Sequence, residues 1–114
     1  MNYDLEERTA KFGEEIIRFC KNLRQDSINK SLINQIVRSA TSIGANYMEA
    51  NAASSKKDFK NKIYICKKET QETKHWIRMM TQCEPNRKEA LKNFWKECHE
   101  LNLIFGKIVS KLKN

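Results

Sequence analysis

Apolar residues recur along the whole chain at intervals of three and four, the spacing of α-helices. In the first segment this spacing joins Leu5, Thr9, Phe12, Ile16, Phe19 and Leu23. Three later segments repeat it, with seams that begin at Ile33, Phe59 and Leu91. Such a seam lies on one face of a helix and is typical of helices packed against each other. The pattern predicts four helices, over about residues 4–25, 28–51, 56–82 and 87–112.

Short polar breaks separate these helices. The break at Asp26 and Ser27 offers an N-cap for the second helix, Ser55 offers one for the third, and Asn86, just after Pro85, offers one for the fourth. Connections of a few residues force consecutive helices to be antiparallel neighbours. The sequence therefore predicts one all-α domain over residues 1–114, an antiparallel up-down-up-down four-helix bundle.

The stretch Gln35–Asn51 in the second helix is unusually poor in charge. Its two formal charges are Arg38 and Glu49, although 32% of all residues in the chain are charged. We expect this helix to be enclosed on most sides, because an ordinary surface helix has a charged outer face. An uncovered surface of this kind would also favour self-association.

Four polar residues on the second and third helices have two possible roles. A catalytic role is conceivable for Asn46 and Glu49, which lie one turn apart. The alternative that we favour is a buried hydrogen-bonded network of Arg38, Asn46, Glu49 and Glu72, because buried charges must be paired and such groups often specify an oligomeric state.

No residue pattern in the chain indicates catalysis, a metal or a cofactor. The sequence has no phosphate-binding loop, and neither His75 nor His99 follows a Glu by three residues, as di-iron bundle sites require. The four cysteines form no Cys-x-x-Cys pair, and Cys66 and Cys98 fall on predicted core seams. We therefore expect a non-enzymatic protein with buried reduced thiols, no metal and no cofactor.

The sequence also gives an expectation for location. The longest uncharged run, Ser39 to Met48, is far short of the roughly 20 apolar residues that a membrane span needs. The chain opens without the basic and apolar pattern of an export signal. No membrane partner and a cytoplasmic location are the expectations.

The formal net charge of +8 is concentrated in two segments. Residues 56–74 hold seven Lys against three acids, and residues 86–114 hold seven Lys or Arg against three acids. Antiparallel helices would bring these segments to one end of the bundle, where Asp4, Glu6 and Glu7 of the first helix would partly offset their charge. The candidate nucleic-acid-binding residues there are Lys56, Lys57, Lys60, Lys62, Lys67, Lys68, Lys107, Lys111 and Lys113. Lysine favours diffuse attraction to phosphates over base reading, and a merely solvated basic face is the alternative.

Three segments resemble the signatures of a known family. They are QIVRSATSIGANYMEA from Gln35, SKKDF from Ser55 and KETQETKHWIR from Lys68. They are similar to the four-helix bundle proteins first noted in intervening sequences of bacterial 23S ribosomal RNA genes. The chain departs from many members at two positions, with Ala50 in place of Gly and Glu69 in place of Ser, and both changes resemble one branch of the family.

The resemblance implies a homopentamer of antiparallel bundles whose biochemical role is mostly undefined. Similar proteins include the accessory protein of diversity-generating retroelements, which works with a reverse transcriptase and RNA. The expected partners are therefore other copies of the chain and RNA or DNA. A scaffolding module that binds another protein is the alternative. Trp76 and Trp95 are expected to serve in core or interface packing rather than as base-stacking platforms.

Overall fold

Four α-helices form most of the computed structural model, which describes residues 3–112. They are α1 (Tyr3–Lys21), α2 (Ser27–Asn51), α3 (Lys56–Cys83) and α4 (Lys88–Lys111), with a short 3-10 helix at Pro85–Arg87 before α4. The helices pack side by side into a body of 46 × 21 × 20 Å. This arrangement confirms the predicted all-α four-helix bundle.

Contacts between consecutive helices occur in reversed order along the two partners. Arg38, in the middle of α2, bonds Glu72 in the second half of α3, whereas Glu49 at the end of α2 bonds Lys62 near the start of α3. The contacts between α1 and α2 and between α3 and α4 reverse in the same way. Consecutive helices therefore run antiparallel, and the start of α3 shares one end of the bundle with the end of α4.

The predicted seams supply the core. On α2, the residues that continue the seam after Ile33 are all buried: Ile36, Ala40, Ile43, Tyr47 and Ala50. On α3 the buried residues are Ile63, Cys66, Thr70, Thr73, Ile77 and Met80. Each fully buried large apolar side chain contributes about 1.5–3 kcal/mol of stability. The contact between α1 and α4 relies on long side chains, since the Phe94 ring packs edge-on against Phe12 and Phe19.

Helix α1 ends at Lys21, four residues before the predicted end at Gln25. Beyond it, side chains satisfy the backbone carbonyls that a longer helix would have used. The Gln25 side-chain amide donates to the Leu23 carbonyl at 2.9 Å, and the Asn29 amide donates to the Arg24 carbonyl at 2.9 Å. Asn29 also bonds Glu84 at 2.7 Å, which ties this loop to the end of α3. These bonds fix a turn where the periodicity predicted more helix.

Two of the three predicted N-caps are confirmed. Asp26 accepts a hydrogen bond from the Asn29 N–H at 2.9 Å, and Ser55 accepts one from Asp58 at 3.0 Å. The predicted cap at Asn86 is wrong, because Asn86 lies inside the 3-10 turn and residue 87 occupies the cap position of α4 without a side-chain bond.

Helix α2 is less enclosed than its composition predicts. One row of its residues is exposed within the single chain: Ser31, Asn34, Arg38, Thr41, Ala45 and Met48. Met48 alone leaves 56% of its surface accessible. The prediction of enclosure on most sides is therefore wrong for one chain, in which α1 and α3 cover the flanks of α2 and leave this row open.

Candidate nucleic-acid interface

Lysines from α3 and α4 meet at one end of the bundle because the two helices are antiparallel. We call this the Lys-rich end, formed in the described part of the chain by Lys56, Lys57, Lys60, Lys62, Lys107 and Lys111. Lys107 and Lys111 border an opening of about 360 Å³ whose other lining residues are the apolar or aromatic Leu5, Tyr47, Phe59, Ile104 and Ile108. The end thus combines cationic side chains with an aromatic and aliphatic surface.

One lysine of the Lys-rich end is engaged in an ion pair. Lys62 lies 2.8 Å from Glu49, and its hydrogen bond to that carboxylate raises the pKa of the Lys62 amine. Among the described side chains, no carboxylate lies within ion-pair distance of the other five lysines. Most of the cationic groups here are therefore available to an external anion.

Two of the predicted basic residues, Lys67 and Lys68, do not belong to this end. Lys67 and Lys68 follow the start of α3 by about 17–18 Å at 1.5 Å per residue, so they lie near the middle of the bundle. Lys67 extends to α4, where its Cε lies 3.6 Å from the position that a Cβ on Gly106 would take. Lys113 lies outside the described residues.

The predicted polar network divides into separate contacts. Arg38 bonds Glu72 at 2.6 Å and Glu69 at 3.2 Å, and the hydrogen bond to Glu72 is the main cause of the raised pKa of Arg38. These groups are partly open to solvent, with 47% of the Arg38 side chain and 38% of the Glu72 side chain exposed. The link between Arg38 and Glu72 is therefore present, although it is not buried.

Asn46 and Glu49 lie outside this cluster, which corrects the predicted single network. The Asn46 amide donates to the Ser42 carbonyl of its own helix at 2.9 Å, and the Glu49 carboxylate bonds Lys62. Glu49 is more than two helical turns beyond Arg38, which places it opposite an earlier turn of α3. The polar pair that is buried between these helices is Ser39 with Thr73, whose hydroxyl oxygens are 2.8 Å apart.

Several contacts have no counterpart in the sequence-based expectations. Arg8 of α1 bonds Glu97 and Glu100 of α4 at 2.6 Å each, and the hydrogen bond to Glu97 is the main cause of its raised pKa. On α4, the rings of Trp95 and His99 stack at 5.3 Å. Trp95 and His99 are four residues apart in the sequence, and this spacing places two side chains side by side on one face of a helix. The contact could therefore have been predicted from the sequence.

The four cysteines are not bonded to one another. Burial raises the pKa of Cys20 to about 11 and that of Cys66 to about 12, and it raises the pKa of Cys98 as well. These thiols are therefore protonated at neutral pH. Across residues 3–112, no group of three or more His, Cys, Asp or Glu side chains could hold a metal ion. Within the same range, no helix combines the length and apolarity that crossing a membrane requires.

Comparison with known proteins identifies relatives of the chain. The family model described as 23S rRNA-intervening sequence protein matches residues 1–107. Among solved structures, a protein of unknown function from the S23 ribosomal protein family of Bacteroides thetaiotaomicron is 31% identical to the chain. It has a TM-score of 0.82, and the match covers 91% of this chain and 96% of that one. Among curated proteins, none matches the chain significantly.

Proposed function

This chain belongs to the family of 23S rRNA-intervening sequence proteins, and we propose that it is a non-enzymatic, homo-oligomeric protein that binds the phosphate backbone of RNA or DNA. The observation that carries the proposal is the Lys-rich end, where five of six described lysines have no carboxylate partner in the described part of the chain. Unpaired lysines attract phosphates without reading base sequence. The binding is therefore electrostatic and tolerant of sequence.

Self-association is supported by the exposed row of α2 and by the openings beside it. Between α1 and α2, an opening of about 290 Å³ is lined by residues that include Ala10, Ile17, Ala45 and Met48. Between α2 and α3, an opening of about 560 Å³ includes Ile28 and Trp76. Two different apolar surfaces on opposite sides of one helix suit the head-to-tail contacts of a closed ring. We propose a ring of five subunits, in keeping with the resemblance.

A ring would present the Lys-rich end once in every subunit. Several weak phosphate contacts along one strand then add through effective concentration. Light scattering at micromolar concentration should report an oligomer, and a monomer at that concentration would contradict the ring.

The test of nucleic-acid binding reverses charge at the Lys-rich end. Replacing Lys56, Lys57 and Lys60 by Glu should weaken the binding of single-stranded oligonucleotides. In the parent protein, the logarithm of the association constant should fall with the logarithm of salt concentration by about 0.7 per phosphate neutralised. The triple variant should have a shallower slope, because fewer phosphates are neutralised.

A matched control variant carries the same change of net charge on α1 and α2, away from the Lys-rich end. Lys11, Lys21 and Lys30 are exposed on α1 and α2 and form no ion pair with a described side chain. Their replacement by Glu should reduce the affinity less and leave the slope nearly unchanged. Equal losses in both triple variants, or no binding by the parent at low salt, would refute the Lys-rich end as a nucleic-acid site.

In that case the favoured function would be a scaffold that binds another protein. The specific observation in its favour is the exposed row of α2, whose residues other than Arg38 are uncharged. Uncharged exposed surface beside apolar openings is typical of protein-binding surfaces.

A further inference from the structure

The outer surface shared by α3 and α4 carries a row of cations beside an exposed tryptophan. We call it the α3–α4 face and define it by Lys60, Lys67, Lys74, Lys92, Trp95, Lys96 and His99. The three α3 lysines recur every seven residues, so they lie on one side of the helix about 10.5 Å apart. Lys67 reaches Gly106 and Lys74 reaches His99, which shows that this side of α3 borders α4.

Most acidic residues of the two helices point away from the α3–α4 face. Two glutamates of α3 bond Arg38 of α2, and two glutamates of α4 bond Arg8 of α1. Asp58 lies one turn before Lys62, which itself faces Glu49 of α2. Glu89 is the exception, since it lies three residues before Lys92 and seven before Lys96, on the side of α4 that carries them. One glutamate beside five lysines leaves the face with an excess of positive charge, which suits a polyanion.

Trp95 lies among these cations with its ring partly open. It is 39% exposed, and the His99 ring stacks on it with 7° between the planes. The Lys74 ammonium lies 4.4 Å from the centroid of the Trp95 ring and 3.2 Å from His99 Nδ1. An ammonium so close to the stacked imidazole must lie on the same side of the indole. Within the described part of the chain, no other aromatic ring or cation stacks on Trp95.

We propose that the α3–α4 face binds single-stranded nucleic acid, with an unpaired base stacked on Trp95 and phosphates along the flanking lysines. Every base has a π-face, so an aromatic platform between cations accepts a strand regardless of its sequence. A base within a duplex already stacks on its neighbours, which disfavours double strands. The inference rests on the proposed function and adds the path of the strand, because Lys60 belongs to both the Lys-rich end and this face.

The experiment compares two probes that differ only in their bases. One is a single-stranded oligoadenylate, and the other is an abasic chain with the same sugars and number of phosphates. Stacking should make the oligoadenylate bind about 5- to 150-fold more tightly than the abasic chain. A deoxy-oligoadenylate should bind as tightly as the RNA, because stacking does not use the 2′-hydroxyl, and a strong preference for the RNA would contradict recognition by stacking and phosphate contacts alone.

Trp95→Ala should remove the advantage of the base-bearing probe. Its affinity for oligoadenylate should fall to the abasic level, while the salt slope stays unchanged because Trp95 carries no charge. Leu103→Ala is the matched control, since Leu103 is 58% exposed on the same helix and has no π-face. This control should leave both affinities unchanged.

Fluorescence gives a second measurement that does not depend on the stability of Trp95→Ala. The chain has two Trp, so Trp76→Phe leaves Trp95 as the single reporter. Oligoadenylate should quench its emission, and the abasic chain should not. Equal affinity for both probes together with unquenched Trp95 would overturn the stacking inference and leave phosphate binding intact. Failure of both probes to bind at low salt would overturn the proposed function and this inference together.

Discussion

Replacing the three glycines by alanine, one at a time, tests how closely the helices approach one another. A Cβ on Gly44 would lie 3.3 Å from Thr9 Oγ1, 3.4 Å from the Thr9 carbonyl carbon and 3.5 Å from the Ala10 nitrogen. On Gly13 the nearest atoms, the Cα and Cγ2 of Thr41, are 3.5 Å away. On Gly106 the nearest atom is the Lys67 Cε at 3.6 Å, which is near the end of a flexible chain.

Two opposing effects set the size of each change. Alanine in place of glycine stabilises a helix interior by about 0.8–1 kcal/mol, whereas overpacking a core contact costs about 1–3 kcal/mol. At Gly44 the crowded atoms belong to the α1 backbone and to Thr9, which is 1% exposed, so neither yields easily. We expect Gly44→Ala to lower the free energy of unfolding by up to about 2 kcal/mol, and Gly13→Ala and Gly106→Ala to raise it by about 0.5–1 kcal/mol.

Urea unfolding followed by circular dichroism at one fixed protein concentration would measure these differences. The concentration must be fixed, because association adds to apparent stability by mass action. Gly106→Ala is the matched control for helix propensity, since its new methyl group meets no rigid neighbour. If Gly44→Ala stabilised the protein as much as Gly106→Ala, the close packing of α1 on α2 would not constrain this position, and the reasoning would be wrong.

Three further predictions concern an ion pair and the thiols. Glu49→Ala should lower the free energy of unfolding by about 0.2–1 kcal/mol, because Glu49 is 55% exposed and its partner is a surface lysine. A loss of 3 kcal/mol or more in chemical denaturation would instead support a buried network. Iodoacetamide should modify the half-buried Cys83 before Cys20, Cys66 and Cys98, and equal rates for all four, measured by mass spectrometry, would contradict the burial. Since burial raises the pKa of Cys20 to about 11 and that of Cys66 to about 12 from 9.0, the unfolded chain loses these protons first, and stability should fall as the pH rises above 9.

The sequence predicted the helices well, because burial imposes a period that the core residues keep. The seam of α3 from Ile63 to Met80 is buried without exception. The end of α1 was not predictable in the same way. It depends on Asn29, which bonds the Arg24 carbonyl and Glu84, a residue 55 positions away. Such bonds form only after the start of α2 and the end of α3 have come together, so no local sequence pattern predicts them.

The polar contacts show a similar limit. The residue types correctly indicated that Arg38 needs a carboxylate partner, and Glu72 supplies it. The partner of Glu49 depends on the register between α2 and α3, which places Lys62 and not Arg38 beside it. Trp95 was expected in core or interface packing. The lysine over its ring comes from another helix.

The arrangement of charge on α3 and α4 carries an electrostatic cost. Lysines stand four residues apart in four pairs, 56/60, 88/92, 92/96 and 107/111. Like charges at this spacing destabilise a helix by about 0.2–0.5 kcal/mol per pair, or roughly 1–2 kcal/mol together. Interleaved glutamates would relieve this repulsion and hydrate the surface equally well. Four glutamates of these helices instead bond Arg8 and Arg38 on α1 and α2. Three lysines of these pairs, Lys60, Lys92 and Lys96, lie on the α3–α4 face. A polyanion there would turn their mutual repulsion into attraction, which is the physical reason to test nucleic acid first.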